Sequence, residues 1–350
     1  MEIKRLFVRL RNKVLARAWL LSFSDFWHRR TIRRVMNLSP AQKRALGIER
    51  TVRLVGNFMG LWQRTIEGTP GGSCIWGKTL FVAEGEADHY VILNSLTHPI
   101  DSISVPQVTL PGPERVWGLH MEPEEYVKAF GYDRPEEHAM VSRFYTNCKY
   151  LLDRGGIYRP APPYVHLHLG KDWNYLNQAP EPRKPITLGI ICSALDKLPG
   201  HQERIRFLER LDASDIEYVL WGRGTAMERF RGYRGFVKSK WGVHAPCRYS
   251  IVIENSVAPF YWTEKIADSI VCYSFPLYHG CPNLDEFLPA ESFEPFDISR
   301  PDALDVLRAI LKRDPYESRR KAIAEARHVL LHTENLYAFL DRELEALKSE

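Results

Sequence analysis

Two short apolar runs, Tyr249 to Ile253 and Phe275 to Tyr278, enclose one amphipathic helix, and each run ends in a polar cluster. This stretch, 248–289, restricts the fold more than any other part of the chain. The first run is short, apolar and β-branched, as a strand buried on both faces must be. It stops at Glu254-Asn255-Ser256, and a loop with Pro259 and Tyr261 follows. Thr263-Glu264-Lys265 then opens a helix carrying Ile266, Ile270 and Val271. The second run closes on His279-Gly280. A strand-turn-helix-strand unit of this kind belongs in an open α/β sheet, where ligands bind outside the carboxyl ends of the strands. Both polar clusters and the helix start fall on that edge. A helix N-terminus beside a lysine suits a phosphate or diphosphate.

The rest of the chain fits two blocks of this type. A length of 350 residues suggests two domains. Thr51 to Gly56 and His89 to Asn94 read as buried strands of a first α/β domain, 51–165. Prolines crowd Tyr158 to Tyr164 and Gln178 to Pro185, and 166–185 reads as a stiff linker. A second domain, 186–330, opens with the strand Ile186 to Cys192. It continues through the helix His201 to Leu211 and the strand Ile216 to Trp221, and a C-terminal helix occupies 331–350. Alternating strands and helices in two blocks predict two doubly wound domains facing a cleft.

Charge is uneven. The net charge is +5, but residues 1–40 hold ten Lys/Arg against Glu2 and Asp25, which leaves the body slightly negative. That balance argues against a nucleic-acid partner. The extension, 1–50, reads as basic amphipathic helix with Ile3, Phe7, Leu10 and Val14 on one stripe. Two readings stand: adsorption to an anionic membrane surface, or packing on the body. No run approaches 18 consecutive apolar residues, so no membrane-spanning helix is expected. The six cysteines show no metal spacing and read as reduced core thiols.

The 248–289 stretch resembles the signature of the α-1,3/4-fucosyltransferases, glycosyltransferase family ten. Its elements here are Glu254-Asn255-Ser256, Tyr261, Thr263-Glu264-Lys265 and Pro276-Leu277-Tyr278-His279-Gly280, with Trp262 where the family usually has Val. The chain looks similar to bacterial members over roughly residues 51–330, strongly only from about 186 onward. This resemblance implies the GT-B fold, two Rossmann-like domains, with the donor nucleotide in the C-terminal one. It also implies an inverting transfer of L-fucose from GDP-fucose to a glycan of N-acetylglucosamine or lactosamine type, in α-1,3 or α-1,4 linkage, on a bacterial surface polysaccharide such as lipopolysaccharide. Animal members carry an N-terminal membrane anchor that is not seen here. A cytoplasmic enzyme is therefore expected, peripheral at the inner face of the membrane if the basic segment adsorbs. No metal cofactor is required, and a divalent cation is expected at most to stimulate.

Such a transfer must neutralise a departing diphosphate, stabilise an oxocarbenium-like sugar and deprotonate the acceptor. Lys265 and Arg204 are the candidates for the diphosphate. Glu264 resembles the family glutamate that holds the fucose hydroxyls, and Glu254 and Asn255 resemble donor-site residues. Tyr261 and Tyr249 either pack on the donor or belong to the core. Arg223, in the turn Gly222-Arg223-Gly224, lies on the ligand edge. Glu122, in Leu119-His120-Met121-Glu122-Pro123, resembles the family's base, with Glu124 and Glu125 as rivals. Two patterns pull elsewhere. Gly72 to Thr79 matches a phosphate-binding loop letter for letter, but no apolar strand precedes it. His166 and His168 alternate, yet two histidines without an acid or Cys at ligand spacing are usually structural. A GT-B enzyme with a different nucleotide sugar and a glycan-binding protein without turnover remain the alternatives.

Overall fold

The computed structural model describes residues 30–56, 60–96, 108–164, 166–237 and 239–349. Most of the basic extension lies outside these residues. Its described end does not stand apart: Val35 and Ile48 are buried in the core on one face of the first sheet.

The first sheet contains β1 (Arg50–Gly56), β2 (Ile75–Trp76), β3 (Thr79–Val82), β4 (His89–Leu93), β5 (Val116–Leu119), β6 (Arg143–Thr146) and β7 (Tyr158–Pro160). Their spatial order is β2-β3-β1-β4-β5-β6-β7. All neighbours are parallel except the β2–β3 pair. Period-two alternation sorts the strands between two cores. Val52 and Leu54 point to one face and Val55 to the other. The edge strand β7 falls inside the proline-rich segment 158–164. Pro160 ends it, as an edge position permits.

The second sheet contains β8 (Ile186–Ile191), β9 (Val219–Trp221), β10 (Cys247–Ile253), β11 (Phe275–His279) and β12 (Glu294–Pro295). It is wholly parallel, in the order β12-β11-β10-β8-β9. The chain runs from β8 out to β9 and returns to β10 on the other side of β8. That reversal makes a crevice at the carboxyl ends of β8 and β10. The helices Pro199–Asp212 and Glu264–Val271 cover the sheet, with Phe207, Leu208, Ile266 and Ile270 buried.

The chain then crosses back. Leu336, Phe339, Leu340 and Leu344 of the helix Leu336–Ala346 enter the core of the first sheet. Each such side chain, fully buried, stabilises by about 1.5–3 kcal/mol. Buried Arg50 fixes the docking with ion pairs to Asp341 at 2.9 Å and Glu345 at 2.7 Å. The loop-like motif Gly72 to Thr79 is a β2–β3 hairpin with Gly77-Lys78 as its turn, and no helix follows. Lys78 pairs with Glu49 and Glu345 instead of offering a phosphate site. All six cysteines are buried and unpaired.

Candidate active site

Arg204 sits at the crevice. It lies one turn into the helix Pro199–Asp212 and is 5% exposed. One guanidinium nitrogen donates to Asn255 Oδ1 at 3.3 Å, and the other to Ser193 Oγ at 3.3 Å. These bonds are long, and Nε has no partner. Among the described residues no carboxylate pairs with Arg204. A buried cation without a counter-ion is costly, and an anion placed there would offset the cost. Close backbone crossings shape the place. A Cβ at Gly200 would lie 2.2 Å from Asn255 O, and one at Gly222 1.6 Å from Cys192 O. Sequence reading noted the turn at Gly222 but not the requirement at Gly200.

Arg204 joins two depressions. Asn255 lines one, with Leu198, Gly200, Glu203 and Arg206 of the second sheet's side and Glu125 of the first sheet's side. Ser193 lines the other, with Ile191, Gly222, Arg223, Phe236 and Lys240. Arg223 is exposed on the rim, its guanidinium 5.3 Å from the centre of the Phe236 ring. It shares this depression with Ser193, the partner of Arg204.

Lys265 differs from Arg204 in being paired. Thr263 caps the helix Glu264–Val271. Glu254, 2% exposed at the end of β10, accepts the Thr263 backbone N–H at 2.9 Å and its hydroxyl at 2.8 Å. Lys265 Nζ lies 3.0 Å from Glu254 Oε2 and also donates to Thr263 Oγ1 at 3.0 Å. Glu254 is thus a strut that fixes the helix N-terminus and aims Lys265. Burial lowers the Lys265 pKa, but Glu254 and Glu264 outweigh it and hold the ammonium charged.

Glu264 faces a different set. Lys240 Nζ approaches it at 3.1 Å and Asp268 Oδ2 at 2.9 Å. Burial would push the Glu264 carboxyl up, yet Lys240 and Lys265 hold it well below the carboxylate range. Burial keeps His168 neutral, down to about 4, against the pull of Glu264. Lys240 and Asp268 were not singled out from the sequence. Lys240 ends a basic loop, and nothing local marks it.

Across the cleft, Glu122 follows β5. Asn94 Oδ1 accepts the Met121 N–H at 2.6 Å, and Asn147 Nδ2 donates to the Glu122 carbonyl at 3.1 Å, which pins the loop. Burial pushes the Glu122 carboxyl up to about 7, with Lys265 lowering it and Glu264 raising it. Both influences come from the start of the helix Glu264–Val271, which lies near Glu122. The rivals separate: Glu124 pairs with Lys128 at 2.5 Å, whereas Glu125 lines the depression beside Asn255. Tyr261 is 1% exposed, and burial, Glu254, Glu122 and Glu264 all raise its hydroxyl pKa, so it lies among the three carboxylates. Tyr249 belongs to the core, bonded to Asp314 and to the Tyr316 N–H. His166 is buried against the Tyr337 hydroxyl at 2.8 Å. Among the described residues no cluster of three metal-ligating side chains forms.

No family model matches this chain, and no curated protein matches it. Solved structures do. One, an α-glucosyltransferase in complex with UDP-glucose and DNA containing an abasic site, is 9% identical with a TM-score of 0.53, covering 86% of this chain and 100% of that one. An α1,3-fucosyltransferase with GDP is 14% identical with a TM-score of 0.46, covering 82% of this chain and 92% of that one. A second α1,3-fucosyltransferase structure, 14% identical, has a TM-score of 0.48 and covers 77% and 81%. The fold is α/β of the GT-B kind, two Rossmann-like units with parallel sheets.

Proposed function

We propose that this protein is an inverting glycosyltransferase that moves L-fucose from GDP-fucose to a hydroxyl of a glycan acceptor. The observation that carries the reading is the edge of the second sheet, where Arg204 is buried with no carboxylate partner among the described residues and Lys265 is fixed on Glu254 at the start of a helix; the Glu122 carboxyl, pushed up to about 7, lies near that start. Glu122 takes the proton of the acceptor hydroxyl. The acceptor oxygen attacks the anomeric carbon from the face opposite the nucleotide. The bond from that carbon to the phosphate oxygen breaks, and GDP leaves with its charge against Arg204 and Lys265. Glu264 and Asn255 hold the sugar and donor, with Tyr261 closing the wall behind them. Protein cations suffice for the leaving group, so the scheme routes nothing through a metal.

The donor sugar, the linkage and the N-acetylglucosamine or lactosamine acceptor rest on the resemblance of the 248–289 stretch. A different nucleotide sugar has one observation in its favour, the fold likeness to a structure holding UDP-glucose. Donor hydrolysis and transfer with GDP-fucose, GDP-mannose, UDP-glucose and UDP-N-acetylglucosamine decides between them. Consumption of GDP-fucose above the others supports the reading. Preference for a UDP-sugar transfers the scheme to another donor, and no turnover with any donor leaves a binding protein. Residues 1–40, with their charge of +8, would hold the chain at an anionic membrane surface. No helix among the described residues is long and apolar enough to cross a membrane.

A further inference from the structure

Lys240 has no part in the scheme above, yet it meets two carboxylates of the site. Its side chain is 18% exposed and lies between two carboxylates, Glu264 at 3.1 Å and Asp268 at 2.9 Å. It comes from the loop after β9, while both acids belong to the helix Glu264–Val271 one turn apart. The same junction holds the segment that crosses between the sheets. Asp268 Oδ1 accepts the His168 backbone N–H at 2.9 Å, and Ser239 Oγ donates to Leu169 O at 2.8 Å. Lys240 also lines the depression that contains Ser193 and Gly222, so its ammonium stands at the edge of the donor crevice.

We propose that Lys240 is a positioning residue: it holds the Glu264 carboxylate ionised and aimed at the sugar of the donor, without itself binding the diphosphate. The inference rests on the functional reading above and adds to it the group that sets sugar recognition. Glu264 is surrounded by Lys240 from the loop, His168 from the crossing segment, Lys265 and Asp268 from its own helix, and Glu122 and Tyr261 nearby. His168 is neutral, Lys265 is shared with Glu254, and Glu122, Asp268 and Tyr261 cannot supply positive charge. Removing Lys240 therefore leaves Glu264 with one shared cation and an adjacent acid. Its carboxyl then takes up a proton more readily as pH falls and accepts hydrogen bonds from sugar hydroxyls less strongly.

Calorimetry on the full chain with GDP and with GDP-fucose, from pH 5 to 8, tests this. Binding is read rather than turnover, because Glu122 titrates in the same range. In Lys240→Met the ratio of GDP-fucose to GDP affinity should fall about tenfold, as for loss of a charge-assisted hydrogen bond, with GDP affinity kept within about twofold. The loss should deepen as pH falls from 7 to 5, by more than the change that Glu122, near 7, and Asp268, near 6, bring to the wild-type ratio. Lys240→Arg should restore most of the ratio. Lys240→Met with Asp268→Asn removes the second buried charge and guards against a variant that fails to fold; it should melt near wild type yet still lack the ratio. Equal losses on GDP and GDP-fucose would make Lys240 a nucleotide contact and overturn the inference. Recovery of the ratio in the double variant would overturn it too, because Lys240 would then serve only to balance Asp268. A wild-type chain that binds no nucleotide at all overturns the functional reading instead, and this inference with it.

Discussion

The two sheets each present a glutamate to the cleft, and their surroundings drive the two in opposite directions. Glu264, on the second sheet's side, is met by Lys240 and Lys265 and stays ionised well below the usual carboxylate range. Glu122, on the first sheet's side, has burial against it and no ion pair among the described residues, and rises to about 7. Opposed environments of this kind divide labour between carboxylates: one remains an acceptor of hydrogen bonds, the other exchanges a proton near neutral pH. The comparison extends to the cations. Lys265 is aimed by a buried partner, while Arg204 stands without one. A single edge thus offers one fixed charge and one awaiting an anion.

The sharpest break in this contrast is Glu122→Gln. Transfer should fall by about 10²–10⁴-fold, the usual worth of a positioned base, with GDP affinity unchanged by calorimetry. The same change bears on stability, and the sign can be worked out. A carboxyl whose folded pKa lies above its unfolded value favours folding below the unfolded value and loses that advantage as pH rises through the folded one. The native carboxyl is therefore destabilising above pH 7, and Glu122→Gln should melt higher than wild type at pH 8, by about 1 kcal/mol after allowance for its partial exposure. Parallel loss of GDP binding and activity would make Glu122 a donor or structural residue and shift attention to Glu125.

Lys265→Ala comes next, and here the structure revises a simple expectation. A surface lysine could be removed with the fold intact, but Glu254 would be left buried and unpaired. Loss of activity should therefore come with destabilisation of about 3–5 kcal/mol. Adding Glu254→Gln should recover much of the stability in a denaturant melt while activity stays low. Arg204→Ala should act the other way. It removes a buried charge without a counter-ion, so the fold should hold, while the transition state loses roughly 2–4 kcal/mol and GDP binding weakens in step. A melt that drops as far as that of Lys265→Ala would erase the distinction between the two cations. The smallest effect belongs to Arg223→Ala, on an exposed rim, where stability should change by less than about 0.5 kcal/mol.

What could be read in advance followed from locality. The strand, cap and helix from Tyr249 to Val271 are specified by near neighbours in sequence, so alternation, the Thr263 cap and the lysine after it were visible. Arg204 was visible as a helix charge after a strand, though its lack of a counter-ion was not. The rest depended on contacts made far along the chain. Lys240 meets Glu264 only because the loop after β9 folds back over the helix. Glu254 read as a donor-site residue through the resemblance alone, and its bonds to Thr263 and Lys265 appear only in three dimensions. Likewise the prolines of 158–164 concealed the edge strand β7, and the return of Leu336–Ala346 to the first sheet left no local mark.

The central claim is that Glu122 must lose its proton for transfer to proceed, and the pH dependence of kcat/KM tests it most directly. Wild-type protein with saturating donor should show one acid limb, falling about tenfold per pH unit below a midpoint near 7 and level above it. In Glu122→Gln that limb should vanish and leave a low, nearly flat profile. A mutant that keeps both substantial activity and the same limb would contradict the account, since another group would then be taking the proton.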